Sequence, residues 1–213
     1  MHNHTVKITR CGMKTLKKYL TYSGVAVAAT LALAACSRSG QADTPPSLAD
    51  SGRERSAEIF EDLPSDIQIT IYQGEGFQAG EEVLLSQLLS QGKPVILNFY
   101  AGLCPPCRLE MPDLQKVYEE NQDEVLLLGL DIGPFTGLGS RQDGQALLQE
   151  LSITYPAGTT FEQEVVRDYR ILGMPTTYFI TPKGETVRAW TGILTQDQAN
   201  ELVAELLAAS DNS

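Results

Sequence analysis

The sequence predicts an α/β fold: a central mixed β-sheet flanked by helices, with an N-terminal β-hairpin extension. Three observations point to it. Two near-continuous apolar runs, 95–99 and 125–132, enclose a helical stretch. That is the pattern of a right-handed βαβ crossover between strands buried on both faces. Residues 176–181 and 185–190 flank Pro182-Lys183-Gly184 and read as an antiparallel hairpin. A last helix follows, with Ala199, Leu202, Val203, Leu206 and Leu207 on one apolar face.

The elements follow in order. From Asp66 to Tyr72, Ile67, Ile69 and Ile71 alternate with polar residues, as in a half-buried strand. Gly74 and Gly76 mark a turn, and Gly80-Glu81-Glu82-Val83 returns the hairpin. A short helix over 86–90 stops at Gly92 and Pro94. After the strand at 95–99, a helical pattern runs from Pro105 to about Asn121. Pro105 and Pro106 fit its first turn, where a missing N–H costs nothing, and Pro112 should kink it. Gly133–Gly139 reads as a glycine-rich loop without a phosphate-binding pattern. Ser140-x-x-Asp143 starts a helix through Leu151, Thr160-x-x-Gln163 caps one through about Tyr169, and Thr195-x-x-Gln198 caps the last.

Residues 1–35 read as a leader. Lys14, Lys17 and Lys18 precede the uncharged stretch 19–35, which ends Leu33-Ala34-Ala35 before Cys36. This is a signal-peptide pattern, and its end resembles the lipobox of bacterial lipoproteins. The resemblance implies lipid attachment at Cys36, and two or more acyl chains hold a protein stably on a membrane. An uncleaved membrane anchor is the alternative; either reading puts the domain outside the cytoplasm, on a bacterial cell membrane. Met13 is a candidate start, which would remove Cys11. Residues 36–63, with Pro45-Pro46 and many small polar residues, read as the lipid-attachment cysteine and a flexible tether. Residues 64–213 form the folded domain.

Both histidines, His2 and His4, lie in the leader. A mature chain without them has no His-based acid–base catalysis, Cys–His pair or His-ligated metal. Residues 1–35 also hold five basic residues and no acidic ones. Without them 11 basic residues stand against 27 acidic ones, a net charge of −16. Such a chain should not bind nucleic acid by its charge.

Cys104 and Cys107 are spaced Cys-x-x-Cys where a strand gives way to a helix. The partial positive charge of a helix N-terminus favours a thiolate, the nucleophile of disulfide exchange. Cys104 is expected to be the exposed nucleophile and Cys107, one turn on, the buried resolving thiol. A structural zinc half-site, a structural disulfide and a Cu(I) carrier compete with this reading. Zinc lacks further cysteine or histidine ligands here, so no metal and no cofactor are expected. The βαβ unit, the ββα unit and a Cys-x-x-Cys opening the first long helix together match the thioredoxin fold.

Asn98-Phe99-Tyr100-Ala101-x-x-Cys104-Pro105-Pro106-Cys107-Arg108-x-Glu110-Met111-Pro112 resembles the TlpA/ResA-like thiol-disulfide oxidoreductases. The likeness covers about 66–209 and includes Gly173-Met174-Pro175-Thr176-Thr177, which is similar to the family's cis-proline loop. It implies a cis Met174–Pro175 bond facing the dithiol, and a proton-relaying role for Glu110 toward Cys107. Leu103, Met174 and Pro175 would meet the substrate. Asn98 stands where thioredoxin proper has a buried aspartate, which leaves Glu110 as the better proton route. Tyr100 and Leu103 replace the tryptophans of many relatives, and Leu103 removes an aromatic wall beside Cys104. The implied activity is reduction of disulfides in exported proteins, including apocytochromes c in cytochrome c maturation, with re-reduction by a membrane electron donor. A thiol peroxidase on the same fold is the alternative. Its Pro-x-x-x-Thr-x-x-Cys pattern is absent, since Leu97 and Ala101 occupy the Pro and Thr positions.

Overall fold

The computed structural model describes residues 66–211. The leader, Cys36 and the tether lie outside the described residues. A seven-stranded mixed sheet forms the centre, in spatial order β2-β1-β5-β4-β3-β6-β7. The strands are β1 (Gln68–Gln73), β2 (Glu82–Leu84), β3 (Val95–Tyr100), β4 (Leu126–Asp131), β5 (Ala157–Thr159), β6 (Thr176–Ile180) and β7 (Thr186–Thr191). The helices are α1 (Leu85–Leu89), α2 (Pro105–Asn121), α3 (Gly133–Thr136), α4 (Arg141–Glu150), α5 (Val165–Asp168) and α6 (Gln196–Asp211).

The β3-α2-β4 unit has the expected parallel register, from Val95 opposite Leu126 to Tyr100 opposite Asp131. β6 runs antiparallel to β3, with Thr176 opposite Phe99, and β7 antiparallel to β6. Strand alternation sends successive β3 side chains to opposite cores. Ile96 and Tyr100 join Cys104, Cys107, Met111 and Leu206 on the α2–α4–α6 side. Val95, Leu97 and Phe99 join Ile69, Leu88, Leu130 and Tyr178 on the side of α1 and α5. Both faces of β3 and β4 are thus covered, which explains their unbroken apolar runs.

Two expectations need correction, and one strand has no counterpart among them. The 133–139 stretch is not all loop. Gly133–Thr136 forms a short helix, α3, with Pro134 in its first turn and a left-handed Gly137 after it. Thr160 does not cap α5: that helix begins only at Val165, and the Thr160 hydroxyl instead accepts from the N–H of Glu162. β5 has no strand signal in the sequence, because it is three residues long with Gly158 at its centre. It is nonetheless central. It pairs in parallel with β4 and antiparallel with β1, so the N-terminal hairpin is a continuation of the main sheet. As expected, α2 runs from Pro105 to Asn121; it contains Pro112, around which Met111, Leu114 and Val117 are buried.

The first turn of α4 is wedged between the backbone at Gly102 and the side chain of Asp131. A Cβ at Gly102 would lie 2.2 Å from the carbonyl carbon of Asp143, and a Cβ at Gly144 would lie 2.1 Å from Oδ2 of Asp131. Neither position has room for a side chain. Gly102→Ala should therefore cost about 1–3 kcal/mol through overpacking, read as a lower urea midpoint at unchanged slope.

Candidate active site

The joint between β3 and α2 sets the dithiol. Cys104 is the N-cap of α2 in extended conformation, Pro105 and Pro106 fill the first positions, and Cys107 lies one turn in. The two form a disulfide with Cα atoms 5.3 Å apart. The N–H of Cys107 donates to Sγ of Cys104 at 3.2 Å. An N–H of the first helical turn is thus aimed at the Cys104 sulfur, where it would favour a thiolate in the reduced protein.

Cys104 differs from the expectation of an exposed thiol. It is 2% exposed, against 60% for Leu103 beside it. The cause is local. Its sulfur is bonded to Cys107, which is buried among Met111, Tyr155 and Leu194. Leu103 is held outward, its N–H donating to the carbonyl of Leu138 at 2.8 Å.

Glu110 is fully buried, one turn beyond Cys107 on the same helix. Its Oε1 accepts from the N–H of Leu194 at 3.0 Å, and its Oε2 from Nδ2 of Asn98 at 3.0 Å. Asn98 Nδ2 also donates to Thr177 at 2.9 Å. Burial raises the Glu110 pKa to about 7, and the Leu194 N–H and Asn98 amide partly oppose the rise. A carboxyl that titrates near neutrality, one turn from a resolving thiol, is suited to general acid–base work.

The Met174–Pro175 peptide is cis. Because Thr176 pairs with Phe99, this loop sits at the same sheet end as the Cys104 turn. Its Pro175 carbonyl accepts from the N–H of Gly192 at 2.9 Å. Met174 packs against the apolar cluster that holds both cysteines. The structure therefore brings Leu103, Cys104, Cys107, Glu110, Met174 and Pro175 to one end of the sheet. Among the described residues there is no group of three or more His, Cys, Asp or Glu placed to hold a metal ion.

Sequence reasoning missed several neighbours. Leu194 enters through a backbone N–H, which has no side-chain signature. Asn98 proves to be a partner of Glu110 as well as a replacement for an acid. Asp131 is a second buried carboxyl, raised to about 6 by burial against the opposing pull of the Gly133 N–H and the Tyr72 hydroxyl. Its signal was available: it is the one charged residue in the apolar run 125–132.

Glu110 links stability to pH. The folded state keeps its proton to a higher pH than the unfolded state, so stability falls as pH rises from about 4.5 to about 7. The loss is on the order of 3 kcal/mol. Glu110→Gln should remove this component from urea denaturation series run on either side of that window. Asp131 has the same sign, so its smaller contribution should persist in the variant.

Residues 68–189, more than half of the chain, match the AhpC/TSA family. The chain is 38% identical over 119 residues to the thiol-disulfide oxidoreductase ResA of Oceanobacillus iheyensis, covering 54% of this chain and 57% of that protein. It is 31% identical over 124 residues to ResA of Halalkalibacterium halodurans, covering 58% of this chain and 67% of that protein. A similar solved fold is the pneumococcal exposed lipoprotein thioredoxin Etrx1 of Streptococcus pneumoniae. Its TM-score is 0.55 at 23% identity, over 66% of this chain and 98% of the other. The chain belongs to the AhpC/TSA family, among its thioredoxin-like relatives of the thiol-disulfide oxidoreductase type.

Proposed function

We propose that this protein is a lipid-anchored, extracytoplasmic reductant of disulfides in exported proteins. The observation that supports it best is the Cys104–Cys107 pair at the start of α2 with the buried Glu110 one turn beyond. In the reduced protein the Cys104 thiolate attacks a substrate disulfide. A Cys104–substrate disulfide forms and one substrate thiolate leaves. Cys107 then gives its proton to Glu110 and attacks Cys104. The Cys104–Cys107 disulfide forms and the second substrate thiolate leaves. The substrate is reduced by two electrons and the dithiol is oxidised by two. A membrane electron donor returns the pair to the dithiol.

Apocytochromes c are the substrates the family likeness favours. Anchoring is proposed at Cys36, from the lipobox-like ending of the leader. Among the described residues no helix is long and apolar enough to cross a membrane. Peroxide reduction is the weaker reading, because Ala101 offers no hydroxyl at the position where that chemistry uses threonine.

Cys107→Ser should trap substrates as stable mixed disulfides on Cys104, and Cys104→Ser should trap none. Capture of cytochrome assembly proteins alone supports the specific role; a broad catch makes the protein a general reductase. Glu110→Gln should slow the second, resolving step roughly 10²-fold while sparing the first. A potential near that of strong oxidants, about −120 mV, would exclude a reductant. Cys36→Ser should move the protein from the membrane fraction to the soluble one.

A further inference from the structure

Asp131 ends β4 directly beneath the turn that presents Cys104, and the exchange mechanism does not use it. Its side chain is fully buried, and each oxygen has a hydrogen-bond partner. Oδ1 accepts from the N–H of Gly133 at 2.9 Å, and Oδ2 from the hydroxyl of Tyr72 at 3.2 Å. The connection continues without a gap. The Gly133 carbonyl accepts from the N–H of Leu138 at 3.2 Å, and the Leu138 carbonyl accepts from the N–H of Leu103 at 2.8 Å. Leu103 is the exposed residue next to Cys104.

The packing runs parallel to these bonds. Gly133 lies against both Asp131 Oδ1 and the Cβ of Ala101, and Gly139 lies against Leu103. Gly144 leaves no space between α4 and the Asp131 carboxylate. The segment 133–144 is thus seated on Asp131 from below and on the 101–103 turn from above.

We propose that Asp131 is a positioning residue for the exchange reaction: through Gly133 and Leu138 it holds Leu103, and so shapes the surface on which a protein substrate meets Cys104. This inference rests on the disulfide-exchange reading above. Asp131 touches neither the sulfurs nor the substrate. The carboxylate accepts both hydrogen bonds, and its charge strengthens the one from Gly133; protonation leaves Gly133 a neutral, weaker acceptor. The groups facing it are Tyr72 from β1, Tyr100 from β3, and Arg141 and Asp143 from α4. Of these, Arg141 favours the carboxylate and Asp143 opposes it. The seat of Leu103 therefore loosens as pH falls through about 6.

The test uses the reduced full-length protein, one disulfide-bonded protein substrate and one small aromatic disulfide. Asp131→Ala should raise KM for the protein substrate about tenfold, the equivalent of one hydrogen bond. Its kcat and its rate with the small disulfide should stay within about twofold of wild type, because neither depends on a shaped surface. Asp131→Asn, like the protonated carboxyl, offers Gly133 a neutral acceptor and should show the acid-side KM of wild type at every pH. Its profile should therefore lack the rise in KM that wild type shows on the acid side of pH 6. An unchanged KM in folded Asp131→Ala overturns the proposal. So does an equal loss toward both substrates, which marks simple structural damage. If Asp131→Ala does not fold, the pH profile of Asp131→Asn decides: a profile like wild type overturns the proposal. Failure of wild type to exchange with either substrate overturns the functional reading and this inference together; normal exchange with no effect at Asp131 overturns only the inference.

Discussion

Burial of one carboxyl organises the reactive end of this protein. Glu110 projects from α2 into an apolar layer, where an unpaired charge would be very costly. The structure meets that cost with two donors from separate elements: the Leu194 backbone before α6 and the Asn98 side chain on β3. Asn98 in turn reaches Thr177 on β6. One carboxylate thus ties together the helix that bears the cysteines, the strand that leads into them and the strand after the cis-proline. The helix that bears the dithiol is fixed in place by a buried group suited to proton transfer.

Asp131 extends the same logic one strand over. Both acids lie near the carboxyl ends of the central parallel strands, the usual end for chemistry in open α/β sheets. Their environments differ. Glu110 is held by an amide and a backbone N–H one turn beyond Cys107; Asp131 is held by a tyrosine hydroxyl and a backbone N–H. The Tyr100 and Tyr155 rings both lie close to Gly129, which has no side chain to displace them. Burial raises both phenols further above their ordinary range, so they remain neutral.

Much of the fold was legible because its signals are local. Apolar runs gave β3 and β4, the turn at 182–184 gave β6 and β7, and the Thr195–Gln198 pairing marked the start of α6. The cysteines were legible through their spacing at a strand–helix joint. What escaped depends on tertiary partners. β5 is a strand only because β1 and β4 flank it, and Thr160 matches a capping pattern that the chain does not use. The burial of Cys104 escaped because the apolar cluster around its disulfide is built by residues distant in sequence, such as Tyr155 and Leu194. Glu110 was recognisable by position, yet its environment came from residues 12 and 84 positions away.

The three residues of β5 also impose an order on events. Ile71 finds its partner in Gly158, and a Cβ at Gly158 would lie 2.6 Å from the carbonyl oxygen of Thr70, so the seam closes backbone to backbone. The β1–β2 hairpin is local, but its place in the sheet does not exist until the chain has emerged through Thr159. By then both cysteines and both buried acids have all been made. In a chain threaded across a membrane from its N-terminus, the first strand to arrive must wait for most of the domain. The sheet is completed at its beginning only after its reactive centre is already present.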